Sequence, residues 1–284
     1  MVNLYPSLGV HNPFDYDLSW VTSWVIPPRI YAGIRLLLAL YTGIACIVDL
    51  TIGATTTTQF TYVLGHPYSH VPLTFFHRYF SYFTNLCYVG LVSWFWASAV
   101  QTGAFAFSKG KHYPLQRWPR FLQLLHVILF TTVAVYPFIV MIVVWAILYN
   151  PKTYWATTYS TWEEITVHIL NGVFALFELI FSNIQPMPWG HIVFILIGLA
   201  LYLGVAYITR ASQGFYTYSF LNPTAQGSLL AGYIVGIAVG GAVVFIVVRY
   251  IIVFRVWLTR GVHQTPSVAR GEFKEVDDAA RYDV

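Results

Sequence analysis

Apolar residues fall into six long runs along the chain, at roughly 30–52, 74–102, 121–148, 164–184, 190–210 and 229–256. Each is close to or longer than the ~20 residues a helix needs to cross hydrocarbon, and each is too long for a strand. A helix satisfies its own backbone groups, which lipid cannot do for it, so the pattern predicts six transmembrane helices. The predicted fold is all-α, a polytopic membrane protein built as a six-transmembrane-helix bundle. Pro137 is the one clear helix breaker in the middle of a span, and no fixed-period repeat runs through the sequence.

The polar stretches divide the rest. Residues 1–29 form an N-terminal segment whose LSWVTSWVIPP, with two tryptophans and two prolines, reads as an interfacial approach to the bilayer. Residues 30–260 form the membrane domain. Residues 261–284, ending GEFKEVDDAARYDV, are polar and expected to be a disordered tail. The runs TTTTQFTYVLGHPYSHVP and NPKTYWATTYSTW, rich in hydroxyls and aromatics, suit a rim at the membrane surface. The first 29 residues lack a basic start followed by a short apolar core, so the first span is expected to act as its own insertion signal.

Composition sharpens this picture. The chain is 57% apolar, 18% aromatic and 9% charged, against about a quarter charged in soluble domains. Arg29 precedes the first span, Lys109, Lys111, Arg117 and Arg120 fill the second loop, and Arg255, Arg260, Arg270, Lys274 and Arg281 follow the last. The opposite loops carry little beyond Lys152 and Arg210, so both termini are expected in the cytosol. The net charge of +4 mostly reflects this asymmetry and gives no reason to invoke nucleic acid. Cys46 and Cys87 both fall inside spans and outline no disulfide framework. The membrane is left open between the endoplasmic reticulum and others such as the plasma membrane.

Candidate chemistry lies in polar groups at membrane depth, which are costly and usually face the bundle interior. Span four reads VHILNGVFALFELI over residues 167–180. With His168 as zero, Glu164 lies near about −40°, Asn171 near about −60° and Glu178 near about −80°, on one face. Glu178 is about 15 Å along the axis from His168, too far to touch it directly, and is read as a second feature rather than assumed to complete a triad. Span two reads FFHRYFSYFTNLCYVG. There Thr84, His77, Ser81 and Tyr88 share a stripe, with Asn85 and Arg78 further round. Both stripes also fit plain interhelical hydrogen bonding, and Asp49 fits a structural pair with Arg78.

Depth connects the two stripes. Counted from the outer ends of their spans, Thr84 and His168 lie near the same boundary. A threonine hydroxyl needs a base to become a nucleophile, and histidine is the usual one near pH 7. Asn171 or Asn85 is placed to donate to an oxyanion. That set suits acyl transfer from a lipid ester. Nothing points to a cofactor or a metal: HExxH, GxSxG, a glycine-rich phosphate loop and CxxC are all missing, and His77, His126, His168 and His191 are scattered in depth.

Three features in order also carry a family resemblance. The helix ending VYPFIVMIVVWAILY, the His168 to Glu178 interval in span four and GFYTYSFL after span five resemble the androgen-induced transmembrane hydrolases, from about residue 78 to 250, with YFTNL closest to a fungal-type branch. The resemblance implies a multi-pass threonine hydrolase that cleaves fatty acid esters of hydroxy fatty acids. It implies His168 as the histidine and Thr84 as the threonine, although a gapless register would instead set Tyr82 at that place. Ser81, Asn85, Asn171 and Glu178 then support the oxyanion or the pocket. Arg210 and Ala211 stand where some relatives carry adjacent histidines, which puts substrate choice in question. The competing reading is a noncatalytic multi-pass protein, a small transporter or scaffold, whose polar seam only packs helices.

Overall fold

A computed structural model describes residues 4–55, 78–108, 110–149, 155 and 157–260. Among them are six helices long and apolar enough to cross a membrane. These are α1 (Pro28–Thr55), α2 (Phe83–Phe107), α3 (Arg120–Leu148), α4 (Thr158–Phe181), α5 (His191–Gln213) and α6 (Leu229–Thr259). The protein is an all-α, multi-pass helix bundle, as the hydropathy pattern predicts. Their order alternates direction, so residues 28, 107, 120, 181, 191 and 259 gather at one end and residues 55, 83, 148, 158, 213 and 229 at the other.

The tail from residue 261, the loop containing His66 and His70, and His77 all lie outside the described residues. Span two begins later than predicted. Residues 80–82 form a turn, and the helix starts only at Phe83. Thr84 is therefore in the first turn of α2, not seven residues inside it, and Ser81 does not share a helical stripe with it. Two helices are also locally unwound: α3 ends in a π segment, Val144–Leu148, and α4 carries another, Ile165–Leu170. Such wide turns are rare and concentrate at functional sites.

The N-terminal segment is not a loose interfacial strip. Val10, Phe14, Leu18 and Val21 are buried against Phe105, Tyr113, Leu115 and Val127, forming a second small core under the bundle. Asp15 holds it shut by accepting from Ser19 N at 2.8 Å, Ser19 Oγ at 2.6 Å, Trp20 N at 3.2 Å and the Tyr113 hydroxyl at 2.5 Å. Trp20 packs edge-on to Trp94 and Phe130, and the Trp24 indole donates to Ile180 O at 2.7 Å.

Helices approach closely where side chains are small. Gly198 of α5 lies against the hydroxyl of Tyr136 from α3, which donates to Ile195 O at 3.0 Å. Gly172 of α4 receives Met141 of α3 in the same way.

Candidate active site

The end of the bundle away from the N-terminal segment holds an apolar cavity of about 270 Å³. Its walls come from the last turns of α3, from α5 and α6 and from the segment joining those two, with Val140, Val144, Leu199, Leu203, Phe220 and Ile237 among them. Its polar groups are the hydroxyls of Thr84, Tyr202 and Tyr218. An aliphatic chain fits such a lining, and a few convergent polar groups are what orients a ligand in a pocket of this kind.

The turn before α2 sets Thr84 in place. Asn85 Nδ2 donates back to Tyr79 O at 3.0 Å, closing the bend. From α5, Tyr202 donates to Ser81 O at 3.1 Å and Thr209 Oγ1 to Ser81 Oγ at 3.0 Å. The first N–H groups of any helix lack internal acceptors. Here the Phe83 amide donates to the Tyr218 hydroxyl at 3.2 Å. Tyr218 comes from the GFYTYSFL segment, and its hydroxyl lies beside those of Thr84 and Tyr202. Thr84 is 8% exposed and opens on the cavity, whereas Tyr82 stacks its ring edge-on to Tyr218, 6.0 Å between centroids, and does not line it.

His168 sits in the π segment of α4, buried, with its Nδ1 2.6 Å from Glu164 Oε2. The two atoms are in ion-pair contact without the alignment of a hydrogen bond, so the carboxylate sits beside the ring rather than in a triad-like bond to it. Among the described residues no hydrogen bond joins His168 to Thr84, and His168 does not line the cavity, whereas Tyr218 does. Asn171 follows directly. Where a π turn gives way to α, the change of hydrogen-bond register leaves a carbonyl without its backbone donor. Asn171 Nδ2 supplies one, to Val167 O at 3.2 Å, while its Oδ1 is buried and accepts none among the described residues.

The chain matches no family model, no curated protein and no solved structure. Function therefore rests on the geometry alone.

That geometry separates the polar residues of the two stripes. Glu178 belongs elsewhere, at the end near the N-terminal segment. Arg35 Nη2 meets its Oε2 at 2.7 Å and Arg35 Nε its Oε1 at 3.0 Å, with the Tyr31 hydroxyl at 3.2 Å. Arg35 also donates to Thr102, which lies about 27 Å along α2 from Thr84 at the usual rise per residue. Glu178 is a structural anchor distant from the cavity. Asn85 and Ser81 hold the turn that presents Thr84 rather than facing a substrate. Asp49 pairs with Tyr159 at 2.5 Å instead of Arg78, whose guanidinium lies over the Phe215 ring. Arg255 is not a solvated flank of the last span: it is buried in α6 and donates to the Ser182 and Ile184 carbonyls just beyond α4.

Two site groups escaped the sequence pattern: Tyr218 and Tyr202 bring the hydroxyls beside Thr84 and its turn. Glu164, which helical spacing sets on the face of His168, is the carboxylate beside that ring. The i, i+4 spacing of Glu164 and His168 was a readable signal; GFYTYSFL was readable as a motif but not as a contact with α2. Among the described residues no three His, Cys, Asp or Glu side chains are grouped as a metal would require.

Proposed function

We propose that the protein is an intramembrane lipid-ester hydrolase, of the kind that cleaves fatty acid esters of hydroxy fatty acids. The observation that carries this reading is the position of Thr84: a hydroxyl in the first turn of a helix, open to an otherwise apolar cavity sized for part of an acyl chain. The acyl chain lies between α3, α5 and α6 with its ester carbonyl at Thr84. Thr84 Oγ1 attacks that carbonyl while its proton passes to His168, beside Glu164. The imidazolium returns the proton to the departing alcohol, and water then frees the acid from the acyl-threonine. Thr84 and His168 are not hydrogen-bonded at rest, so the reading requires them to come within reach, directly or through one water, when an ester is bound. We place both termini on the cytosolic side, in the endoplasmic reticulum or plasma membrane.

A second reading has its own observation. Asn85, Ser81, Asn171 and Glu178 all make bonds that serve folding, as expected if the polar seam of a noncatalytic lipid-binding protein only packs helices.

Hydrolysis of a panel of lipid esters by purified wild type, Thr84→Ala and His168→Ala separates the two. The hydrolase reading expects wild-type turnover and losses on the order of 10³-fold or more in both variants. A folded wild type that cleaves nothing on the panel leaves the lipid-binding reading.

A further inference from the structure

The side chain that meets the Thr84 hydroxyl is a phenol and not an imidazole. Tyr218 accepts the Phe83 amide at 3.2 Å, so its own proton is directed at the oxygens beside it, those of Thr84 and Tyr202. Tyr202 spends its proton on Ser81 O at 3.1 Å and Thr217 Oγ1 at 3.3 Å. Tyr218 therefore has a proton to give at the polar end of the cavity, which it and Thr84 both line. Phe83 and Thr84 are consecutive, so one short backbone contact fixes the phenol against the hydroxyl next to it. Burial pushes the Tyr218 phenol well above its ordinary range, which keeps the proton on it at neutral pH.

We propose that Tyr218 is a catalytic hydrogen-bond donor of this site. Its hydroxyl lies beside Thr84 Oγ1 at the polar end of the cavity and donates to the ester carbonyl oxygen as that oxygen gains charge. The proposal rests on the hydrolase reading above. In the step concerned, the bond from Thr84 Oγ1 to the carbonyl carbon forms as the carbonyl π pair moves onto oxygen. The carbon–oxygen bond to the alcohol then breaks as that pair returns, and the alcohol takes the proton that left Thr84. Tyr218 keeps its own proton throughout. Donors aimed at a developing oxyanion are worth far more in a water-excluded site than in water.

The test compares Tyr218→Phe with wild type and Thr84→Ala on one ester, with kcat expressed per folded molecule. Tyr218→Phe is expected to lower kcat by about 10²-fold to 10³-fold with KM within about twofold. A phenol that only caps α2 leaves kcat per folded molecule unchanged. Fluorotyrosine at position 218 keeps the hydroxyl and the cap but makes the phenol more acidic, and it decides the matter even where Tyr218→Phe does not fold: a changed kcat and a shifted alkaline limb are expected. An unchanged kcat in either protein, with Thr84→Ala inactive, overturns the role of Tyr218 and leaves the hydrolase standing. Turnover by Thr84→Ala, or none by wild type, overturns both.

Discussion

Arg35 and Glu178 are each almost fully buried, and nearly every polar atom of the pair has a partner. Two parallel bonds join the guanidinium to the carboxylate, the Trp20 carbonyl and Thr102 take the remaining Nη1 donors, and the Tyr31 ring lies 4.2 Å from the guanidinium carbon. Removing one partner from such a pair strands the other charge away from water, which costs about 3–5 kcal/mol. Arg35→Met or Glu178→Leu alone is expected to destabilise the protein by that much. The double replacement is expected to recover most of it, since neither charge is then left behind. Unfolding in detergent, followed for all four proteins, checks this, and single substitutions costing under about 1 kcal/mol would deny the pair its anchoring role. Glu178 was visible in the sequence as a polar residue on an apolar helix. Its partner was not, because the two lie 143 residues apart and helical spacing relates only neighbours on one helix. The same limit hid the contact between Thr84 and Tyr218.

At the scale of elements, all six spans were legible, since an apolar run of sufficient length has one stable form in lipid. Their ends were less so. The run from 74 to 102 reads as unbroken helix, yet α2 starts at Phe83 because hydrogen bonds from Asn85, Tyr202 and Thr209 make a turn at residues 80–82. The π turn in α4 was equally silent, as periodicity at 100° per residue presumes the regular helix it interrupts. Packing between elements supplies a prediction of its own. A methyl at Gly198 meets the Tyr136 hydroxyl, whereas the ring carbon bearing it is 3.1 Å away. Gly198→Ala is expected to cost about 1–3 kcal/mol by overpacking. In a Tyr136→Phe background, where the clashing oxygen is gone, the same change is expected to cost clearly less. A double-mutant cycle read from thermal unfolding measures the coupling, and additive costs would mean that α3 and α5 yield at this point without strain.

Over the whole molecule, the N-terminal segment closes one end of the bundle and the cavity opens at the other. Asp15 is the hinge of that closure. Burial raises its carboxyl above the ordinary value, against the four hydrogen bonds that favour the charged form. The folded chain then holds the Asp15 proton to higher pH than the unfolded chain, so docking of the segment weakens as pH rises from about 4 through the raised value. Asp15→Asn is expected to remove this pH dependence. It is also expected to cost about 1–3 kcal/mol, because an amide turns N–H groups toward donors. Proteolysis of residues 5–21 as a function of pH reads both effects, and equal protection in the two proteins would show that the carboxylate does not hold the segment. The sequence by itself determined the six helices and their alternating directions, because length and hydropathy act locally and the bilayer leaves the backbone no other choice. Only the tertiary structure decided which polar residues serve the fold and which face the cavity. A buried polar group is assigned by the partner that satisfies it, and here those partners arrive from other helices: Arg35 for Glu178, Tyr218 for Thr84, and Tyr113 for Asp15.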